Sequence, residues 1–532
     1  MIGQRTFAGI GGLIRLILRR DRVRIPIWIL ALVGFTTSFL PSLPDLYPDA
    51  ASRQARAAIM EGPAGLAMTG PGYGLDDYTL GAMVGQEFFG YSAIIIAIMS
   101  ILLTIRHTRA EEETGRAELI RAAVIGRHAP LAAAVTVVVS LNVVIALLLG
   151  LLMPAVLPEL SAASSMLYGF AGAAVGIVFA GVGAVAAQLT FSARGAVGIG
   201  MAALGFAYGA RAVGDASVQA FSWLSPIGWA QQTRFYVDDR WWPLLLATGV
   251  AVLLFVGALG LSRRRDVGAG IFAPRVGAAD ASPFLSGPIG LAWRLQRGTF
   301  IAWSIGLAVF GAMYGSIIPE IETFVEGNEF IAQSYAMMGG DPVESFLGIV
   351  VMLLATVSGG YALQSALRMR GEETGMRTES ILSGSVPRWR YVLGHLLVAA
   401  IGGPVVALVG IGAMATVGAA ATGDAGLVGE VLAGAAAYVP ALWLLTGLVV
   451  ALFGLLPKLV HLVWIVLAYG IVIGMLGAFL NIPDWTMNLS PFSHVPQWPN
   501  ESFDAVPLVA MTVTATGLVA IGLFGFRRRD LA

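Results

Sequence analysis

The 532-residue sequence contains no cysteine and only one lysine. The absence of cysteine excludes disulfide bonds and thiol catalysis. A phosphate-binding loop needs a lysine directly after a glycine, whereas Lys458 follows Pro457. The chain therefore carries no nucleotide-binding loop of this type. The energy for any work that it performs has to come from a partner or from an ion gradient.

Histidine is also scarce, and its five copies are scattered along the chain. They are His107, His128, His395, His461 and His494. They form no cluster with the spacing of metal ligands, and no nucleophile motif accompanies them. We therefore predict no catalytic residue, no metal site and no cofactor bound by this chain. The sequence indicates that the protein is not an enzyme by itself.

Charged residues make up 12% of the chain, against roughly a quarter in soluble proteins. The mean hydropathy is +0.79, and apolar runs of about 20 residues recur throughout. The sequence predicts an all-α polytopic membrane protein with twelve transmembrane helices. In the first half the runs lie near 25–43, 81–105, 130–155, 165–190, 195–214 and 242–262; in the second half they lie near 299–319, 346–368, 391–417, 429–455, 459–480 and 505–526.

One charged stretch between apolar runs occurs twice. Glu112-Glu113-Thr114-Gly115 recurs 260 positions later as Glu372-Glu373-Thr374-Gly375. Two more landmarks recur in the same order: Leu224-Ser225-Pro226 matches Leu489-Ser490-Pro491, and Arg263 to Asp266 matches Arg527 to Asp530. These matches predict an internal duplication. It divides the chain into a six-span unit over 1–266, a cytoplasmic linker over 267–288 and a second six-span unit over 289–532.

The even number of spans in each unit predicts that both units enter the membrane the same way round. We therefore expect a pseudo-twofold axis along the membrane normal. Basic residues concentrate on one side of the predicted membrane. All but five of the 32 lysines and arginines lie on the side of the termini, and the exceptions are Arg53, Arg56, Arg211, Arg234 and Arg240. Both termini and both charged stretches should therefore be cytoplasmic.

Each unit begins with a stretch typical of an interfacial helix. In Phe7–Arg24 the apolar residues Ile10, Leu13, Ile14, Ile17 and Leu18 share one helical face, and Arg15, Arg19 and Arg22 lie on the other. This pattern suits a helix at the lipid headgroups. A weaker stretch, Leu291–Arg297, opens the second unit. The preference for Arg over Lys, with much Ala and Gly, is typical of a high-GC bacterial genome.

The spacing of charges predicts a short helix within the first charged stretch. Thr108 and Glu111 have capping-box spacing. Glu112 and Arg116 are spaced i,i+4, and Glu118 and Arg121 are spaced i,i+3. A solvated loop that only anchors topology would need the arginines but not the recurring glutamates, because acidic residues contribute little to the topology rule. The recurrence therefore favours a docking function.

The stretch Arg109-x-Glu-Glu-Glu-Thr-Gly-Arg-x-Glu-Leu119, followed by Gly126-Arg127, resembles the cytoplasmic segment of ABC transporter permeases of the ABC-2 exporter type. Two fused six-span units resemble actinobacterial exporters of polyketide antibiotics (tetronasin-type multidrug efflux). The second copy departs from this pattern, because Met376 stands in place of Arg116 and Pro387 in place of Gly126.

The resemblance implies a division of labour. Each charged stretch would be a coupling helix that docks one copy of a cytoplasmic ATPase, and ATP and Mg would be bound by that partner. The coupling residues carried over from the family are Arg109, Glu111, Glu112, Glu113, Gly115, Arg116 and Glu118 in the first copy, and Glu372, Glu373, Gly375, Arg377 and Glu379 in the second. The cargo would leave the cytoplasm or the inner leaflet.

An ion-gradient carrier of the major-facilitator type also has twelve spans in two parallel halves. Such a carrier needs ionisable groups within the bilayer, and the spans here are nearly bare. Glu87 is the clearest exception, and Arg211 with Asp215 form an i,i+4 pair at an outer end. A purely structural or signalling membrane protein is a third class, which the duplication argues against.

Polar and aromatic side chains inside the spans are candidates for a substrate cavity. They are Gln86, Glu87, Tyr91, Asn142, Gln188, Tyr208, Tyr361, Gln364, Trp443 and Tyr469. Glu87 is alternatively a residue beside a wet vestibule, and Gln188 and Gln364 are alternatively interhelical hydrogen-bond partners. The remaining lining is Ala, Gly, Leu, Met and Phe, which suits amphipathic or lipophilic cargo.

Overall fold

The computed structural model describes residues 6–216, 218–266, 268–272, 279–280, 282–321, 341–476, 484–496 and 504–530. Within these residues the secondary structure is helical, without strands. The chain forms two compact units, Met1–Val276 and Gly277–Ala532. Within the predicted linker, residues 267, 273–278 and 281 lie outside the described part. The two units are taken in turn below.

The first unit contains thirteen α-helices among its described residues. They are α1 Ile10–Arg20, α2 Arg24–Ser38, α3 Leu43–Leu46, α4 Ala50–Met60, α5 Pro63–Thr69, α6 Leu80–Arg106, α7 Arg109–Glu113, α8 Arg116–Arg121, α9 Ala129–Val156, α10 Ala162–Leu189, α11 Ala193–Ala216, α12 Pro226–Gln231 and α13 Pro243–Arg263. The central helices are α6 and α10, which carry the largest share of buried residues. Their aromatic core joins Phe89, Tyr168 and Phe235, with ring centroids 4.8 to 5.2 Å apart.

The second unit contains ten α-helices among its described residues. They are α14 Pro288–Gly315, α15 Pro342–Ala366, α16 Arg368–Thr374, α17 Arg377–Leu382, α18 Arg388–Thr422, α19 Gly426–Ala436, α20 Val439–Leu455, α21 Val463–Leu476, α22 Asp484–Met487 and α23 Ala505–Arg528. Helices α14 and α18 cross at small residues. A Cβ on Gly311 would lie 1.9 Å from the Gly410 carbonyl oxygen, so only glycine permits this approach.

Eleven of the twelve predicted spans are confirmed as helices long and apolar enough to cross a membrane, among the described residues. The twelfth, predicted over 459–480, is a shorter apolar helix over Val460–Gly474, and residues 477–480 lie outside the described part. Helices α19 and α20 together supply one of the eleven, Gly426–Leu455. The all-helical membrane class is therefore confirmed, whereas the twelve-span arrangement stays a prediction.

The amphipathic stretch at the start of the chain is a separate helix, α1. Leu13 and Ile17 are buried and pack on the first turns of α9 at Ala133 and Val137. Leu18, which we predicted on the apolar face, is instead 46% exposed. The corresponding stretch Leu291–Arg297 differs, because it forms the first turns of the 28-residue helix α14 and not a helix of its own.

Candidate functional site

The first charged stretch folds as two short helices, α7 and α8, and not as one. They are separated at Gly115, whose φ of +72° is a left-handed conformation that glycine adopts without strain. The predicted capping box is wrong, because the Thr108 hydroxyl donates to the Thr104 carbonyl at 2.6 Å and caps no amide of α7. The break at Gly115 turns α8 away from α7.

Glu112 is held by two arginines of its own unit. Arg265 donates from both terminal nitrogens to the two carboxylate oxygens of Glu112, each at 2.8 Å. Arg109 donates to the same carboxylate at 2.8 Å and is fully buried. The predicted pair with Arg116 is therefore wrong, since Glu112 pairs with Arg109 and Arg265 among the described residues. Bidentate pairs of this kind are the strongest charge-assisted hydrogen bonds.

The two arginines tie α7 to the surrounding chain. Arg109 donates to the carbonyl of Ala187 at 3.0 Å and to that of Ala269 at 2.6 Å. The Nε of Arg265 donates to the side-chain oxygen of Gln188 at 2.8 Å. These contacts join α7 with the last turn of α10 and with the segment that follows α13. The position of α7 is thereby fixed relative to α10 and to the end of α13.

The neighbouring glutamates of α7 bind other elements of the unit. Glu111 forms an ion pair with Arg20 of α1. Glu113 accepts a hydrogen bond at 2.8 Å from the amide of Ala193, the first residue of α11, where a carboxylate is favoured by the helix dipole. The three consecutive glutamates therefore connect α7 to α1, α13 and α11 respectively.

A further contact fixes α1 at the end of α6. Asp21, directly after α1, is 1% exposed. Its carboxylate accepts a hydrogen bond at 3.3 Å from the Nε of Arg106, the last residue of α6, and lies 2.6 Å from the Nε2 of His107, which follows that helix. Because a buried carboxylate requires such partners, the position of α1 is specified by charge as well as by apolar packing.

The second unit repeats the Glu112 cluster with its own residues. Glu373 accepts hydrogen bonds from Arg370 at 3.0 Å and from Arg529 at 2.7 Å. Arg529 is the third arginine of the Arg527 to Asp530 landmark, as Arg265 is of the first one. The recurring landmark of the two halves therefore has a structural role: it supplies the arginine that clamps the charged helix to the last span.

A second recurring arginine binds backbone carbonyl groups at the C-terminal end of the last long helix in each unit. Arg127 donates to the carbonyl oxygens of Ser262 at 3.0 Å and Arg265 at 3.2 Å. Arg388 donates to those of Phe526 at 3.1 Å and Arg529 at 2.7 Å. The last carbonyl groups of a helix have no intrahelical partner, so a cation is stabilising there.

The ring of His128 also contacts the C-terminal end of α13. Burial, with the nearby charges of Arg263 and Arg127, lowers the pKa of His128 below its ordinary value. The neutral ring accepts a hydrogen bond at Nε2 from the Arg263 Nε, at 3.2 Å. The other ring nitrogen, Nδ1, then carries the proton and lies 3.1 Å from the Ser262 hydroxyl.

These contacts correct the sequence match between the two charged stretches. Identity pairs Gly115 with Gly375, but Gly375 has an ordinary φ of −86°. The left-handed residue of the second stretch is Met376, with φ +57°. The structural equivalents are therefore Arg109 with Arg370, Glu112 with Glu373, and Gly115 with Met376. Arg116 corresponds to Arg377, so the arginine that we considered lost in the second copy is present.

Met376 gives a direct prediction for the stability of the second unit. A non-glycine residue in the left-handed region costs about 1 kcal/mol or more. We therefore expect Met376→Gly to raise the free energy of unfolding by roughly 1 kcal/mol, and the reverse change Gly115→Met to lower it by a similar amount. Thermal unfolding of the detergent-solubilised chain measures both. A loss of stability in Met376→Gly would contradict the assignment of strain.

The clusters of the two units differ in their surroundings. Glu372 pairs with Arg368 at 2.7 Å and also with Arg377. The hydrogen bond to the Glu372 carboxylate raises the pKa of the Arg377 guanidinium. Arg529 lies over the ring of Phe453, with its guanidinium carbon 5.2 Å from the centroid. Its Nε has no hydrogen-bond partner among the described residues, whereas the Nε of Arg265 binds Gln188. The second cluster is thus less completely satisfied.

The predicted coupling residues fall into two groups by exposure. Arg109, Glu111, Glu372 and Glu373 are buried, and Glu112 is half-buried. Glu113, Gly115, Arg116, Glu118, Gly375, Arg377 and Glu379 are exposed. Leu119 is 78% exposed on α8. The predicted pair between Glu118 and Arg121 lies outside the described part, because the Arg121 side chain is not included.

Sequence reasoning missed the arginines that organise the clusters, namely Arg20, Arg127, Arg265, Arg388 and Arg529. The signal for Arg265 and Arg529 was present, because the landmark that contains them was found twice. We interpreted it only as the end of a unit. The distance of 153 residues between Arg265 and Glu112 hides such a pair from any local spacing rule.

The residues predicted to line a cavity make mainly structural contacts. Glu87 pairs with Arg56 at 2.7 Å and accepts from Tyr78 at 3.1 Å. Asn142 donates to Ser100 at 3.0 Å, Trp303 donates to Gln364 at 2.7 Å, Trp443 donates to the Ala400 carbonyl at 2.9 Å, Tyr208 donates to the Met68 carbonyl at 3.3 Å, and Tyr469 donates to the Thr486 carbonyl. The Tyr361 hydroxyl is buried, and Tyr91 is half-buried.

Two of these residues reach pockets within the first unit. Gln188 lines a cavity of about 80 Å³ beside α1 and α7, but its amide is bound by Arg265. Gln86 lines a smaller pocket at the other end of α6. The predicted pair of Arg211 and Asp215 is confirmed at 3.4 Å, with Arg211 fully buried. A role of these ten residues in cargo binding stays a prediction.

Comparison with known proteins identifies relatives of the whole chain. Residues 285–527 match the family model described as the C-terminal domain of the multidrug efflux system permease Rv1217c. The chain is 41% identical over 532 residues to the multidrug efflux system permease protein Rv1217c of Mycobacterium tuberculosis (strain ATCC 25618 / H37Rv). The match covers 99% of this chain and 96% of the relative. The chain therefore belongs to the family of multidrug efflux system permeases represented by Rv1217c.

Proposed function

We propose that the chain is the membrane permease of an ATP-driven exporter of the ABC-2 type, which moves amphipathic or lipophilic drugs out of the cytoplasm or the inner leaflet. Family membership supports the drug-efflux part of this proposal. The observation that carries the ATP-driven part is the repeated clamp: each unit fixes a charged helix to its last span through one glutamate and one distant arginine. Two such clamps suit two copies of a soluble ATPase.

The clamp separates residues that position the charged helices from residues that would contact a partner. Glu112 and Glu373 are engaged within their own units, so they hold α7 and α16 in place. The contact surface would instead consist of the exposed faces of α8 and α17, with Arg116 and Glu118 on one and Arg377 and Glu379 on the other. ATP and Mg would bind the ATPase and not this chain.

Force from the partner would reach the membrane through rigid contacts. A push on α8 is carried across Gly115 to α7, then through Arg265 to α13 and through Arg109 to α10. Glu111 and Arg20 extend the same path to α1, which we propose lies at the inner headgroup region. Because the side-chain steps of this path are short ion pairs and hydrogen bonds, little of the displacement would be lost in side-chain motion.

The wider arrangement is part of the same proposal. It comprises twelve spans in two parallel units, a bacterial plasma-membrane location and cytoplasmic termini. The placement of nearly all basic residues on the side of the termini supports this orientation. With the charged helices on the cytoplasmic side, both would be accessible to a soluble ATPase.

A transport assay with a defined energy source tests the proposal. The permease is reconstituted into liposomes, alone or with a purified soluble ABC ATPase from the same genome, and movement of ethidium is followed by fluorescence. We expect transport only with the ATPase and Mg-ATP present. Addition of an ionophore that collapses the proton gradient should leave this transport unchanged.

The ion-gradient carrier predicts the opposite pattern in the same assay. The permease alone would then move ethidium when a proton gradient is imposed, and Mg-ATP would have no effect. Such a result would overturn the proposal. Size-exclusion chromatography with light scattering gives an independent readout, for which we expect two ATPase copies per permease chain.

A further inference from the structure

Four polar side chains of the first unit converge on a small pocket far from the charged helices. Tyr73, Gln86, Gln231 and Arg234 line it together with apolar residues of α6 and of the turn after α12. Gln86 precedes Arg106 by twenty residues on α6, which is a distance of roughly 30 Å along the helix. The pocket has a volume of about 20 Å³, enough for one water-sized group.

Several polar atoms of the residues that line this pocket lack protein partners. Both amide atoms of Gln86 and the amide oxygen of Gln231 are buried without a hydrogen bond among the described residues. Tyr73 and Arg234 contact each other, with the Arg234 guanidinium carbon 4.2 Å from the centroid of the Tyr73 ring. Gln86 is 5% exposed and Gln231 is 4% exposed. A buried polar atom without a partner is destabilising, so the three amide atoms of Gln86 and Gln231 indicate a site that binds a polar group.

The chemistry of the free atoms defines the group that would fit. Gln86 and Arg234 offer N–H donors, Gln86 and Gln231 offer carbonyl acceptors, and Tyr73 can do either. A carboxylate or an ether oxygen would leave the acceptors unsatisfied. Arg234 is already paired with Asp238 at 2.9 Å, so the pocket has no unpaired cation for an anion. A hydroxyl group both donates and accepts, and it matches the pocket in size.

The turn that carries Arg234 is held in an unusual conformation. Arg234, Tyr236 and Asp239 have φ values of 49°, 64° and 47°, in the left-handed region. Asp239 accepts a hydrogen bond from Ser164 at 2.5 Å, and Tyr236 lies 2.8 Å from the Ser165 hydroxyl. Strained residues persist where the surroundings fix them, and they concentrate at functional sites. The anchors on α10 therefore present a preorganised Arg234.

Close packing brings α6, which carries Gln86, against the turn that carries Arg234. A Cβ on Gly85 would lie 2.9 Å from the ring of Phe235, and one on Gly81 would lie 2.9 Å from Tyr236. The absence of side chains at these two positions lets α6 approach the turn. Gln86 is thereby positioned beside Arg234 and Gln231. The pocket is therefore formed by the packing of α6 against the turn after α12.

We propose that Tyr73, Gln86, Gln231 and Arg234 form a subsite for a hydroxyl group of an amphipathic cargo at this end of the first unit. The inference rests on the proposed export of amphipathic compounds, but it concerns binding alone. The hydroxyl could be supplied by an alcohol or by water, and these two sources are distinguished by experiment.

The natural lack of cysteine permits a labelling test without background. Val237 lines the pocket and is 43% exposed, so Val237→Cys provides a single reactive thiol at its rim. The full-length permease in nanodiscs, without ATPase or nucleotide, is reacted with a maleimide in the presence of 1-dodecanol or of dodecyl methyl ether. We expect dodecanol to slow labelling about fivefold, as one net hydrogen bond allows, and the ether to have no effect.

Two variants complete the test. In the Val237→Cys background, Gln86→Leu should remove the difference between the two probes, and its thermal stability should be unchanged or higher because an unpartnered amide is replaced by an apolar group. Asp76→Cys, on the exposed outer loop, should be labelled at the same rate with either probe. The comparison of the two probes in the Val237→Cys single variant does not depend on how the Gln86→Leu variant folds.

Other outcomes would overturn the proposal. Equal slowing by both probes would mean that the pocket recognises only the alkyl chain. No slowing by either would mean that the pocket takes water and no alcohol. Because ATPase and nucleotide are absent, a failure of ATP coupling cannot affect these results. The subsite and the proposed energy source can therefore fail separately.

Discussion

Glu112→Arg should destabilise the first unit by roughly 3–5 kcal/mol, which is the usual cost of breaking a buried ion pair. The change removes the carboxylate that Arg265 and Arg109 share, and it adds a third cation to two arginines that are 7% and 0% exposed. We expect a large fall in the apparent melting temperature in detergent and a smaller yield of monodisperse protein. Glu373→Arg should have a similar effect on the second unit.

Glu113→Arg is the matched control, because it changes the same residue type at the next position. Glu113 is exposed and accepts a hydrogen bond only from the first turn of α11 among the described residues. Its loss should cost about 1 kcal/mol. Equal destabilisation by the two changes would contradict the clamp. The sequence places both glutamates among the coupling residues without distinguishing them, whereas the structure engages Glu112 with two arginines and leaves Glu113 exposed.

A double-mutant cycle isolates the contribution of the distant pair. Glu112→Gln and Arg265→Gln are compared singly and together by thermal unfolding. Because the two residues are in direct contact, we expect a coupling energy of about 1–3 kcal/mol. The same cycle between Glu113 and Arg265, which share no contact in the structure, should give a value near zero. Additive losses in the first cycle would show that the pair does not act as a unit.

The all-helical membrane class could be predicted from the sequence because it depends on local composition. A span needs about 20 apolar residues in succession, and that signal is present eleven times at full length. The shorter helix α21 falls below that length. The second interfacial stretch, Leu291–Arg297, is not a separate helix. The chain remains helical from Arg297 into Gly298 and beyond, so the stretch forms the first turns of α14.

The charged stretches show where local reasoning fails. Spacing rules consider residues three or four positions apart, and they paired Glu112 with Arg116. The fold instead offers Arg265, which donates two hydrogen bonds to the two carboxylate oxygens of Glu112. Sequence identity also aligned glycine with glycine, whereas the backbone requires a left-handed residue one position later. Met376 occupies that position at a cost in strain, which identity cannot reveal.

The cavity residues illustrate the same limit for polar groups in membrane helices. Gln364 and Trp443 were candidates because they are polar within apolar runs, but each has a hydrogen-bond partner on a neighbouring helix. Gln86 differs from them, since both of its amide atoms are buried without a hydrogen bond among the described residues, and it lines a pocket with Gln231 and Arg234. The difference depends on the conformation of the turn after α12, which has no periodicity to predict it.

The charge-swapped variant Arg116→Glu with Glu118→Arg should leave the fold intact and weaken ATPase binding about 30-fold. Both side chains are exposed, so stability should change by no more than about 0.5 kcal/mol. The net charge is conserved, and only the pattern presented by α8 is reversed. Loss of a well-packed interface residue typically costs about 2 kcal/mol or more, which corresponds to the stated factor. Biolayer interferometry with the permease in nanodiscs measures the affinity.

Glu159→Arg provides the matched control, because Glu159 is exposed and follows α9, whose 28 residues extend roughly 40 Å from the charged helices. The affinity of the Glu159→Arg permease for the ATPase should equal that of the unaltered permease. In the second unit Glu379→Arg is the cleaner change, since Arg377 also binds Glu372 within the unit. Each single-unit variant should retain one ATPase copy in place of two. Unchanged affinity in both variants would exclude α8 and α17 as the contact surface and would leave the clamps as purely internal supports.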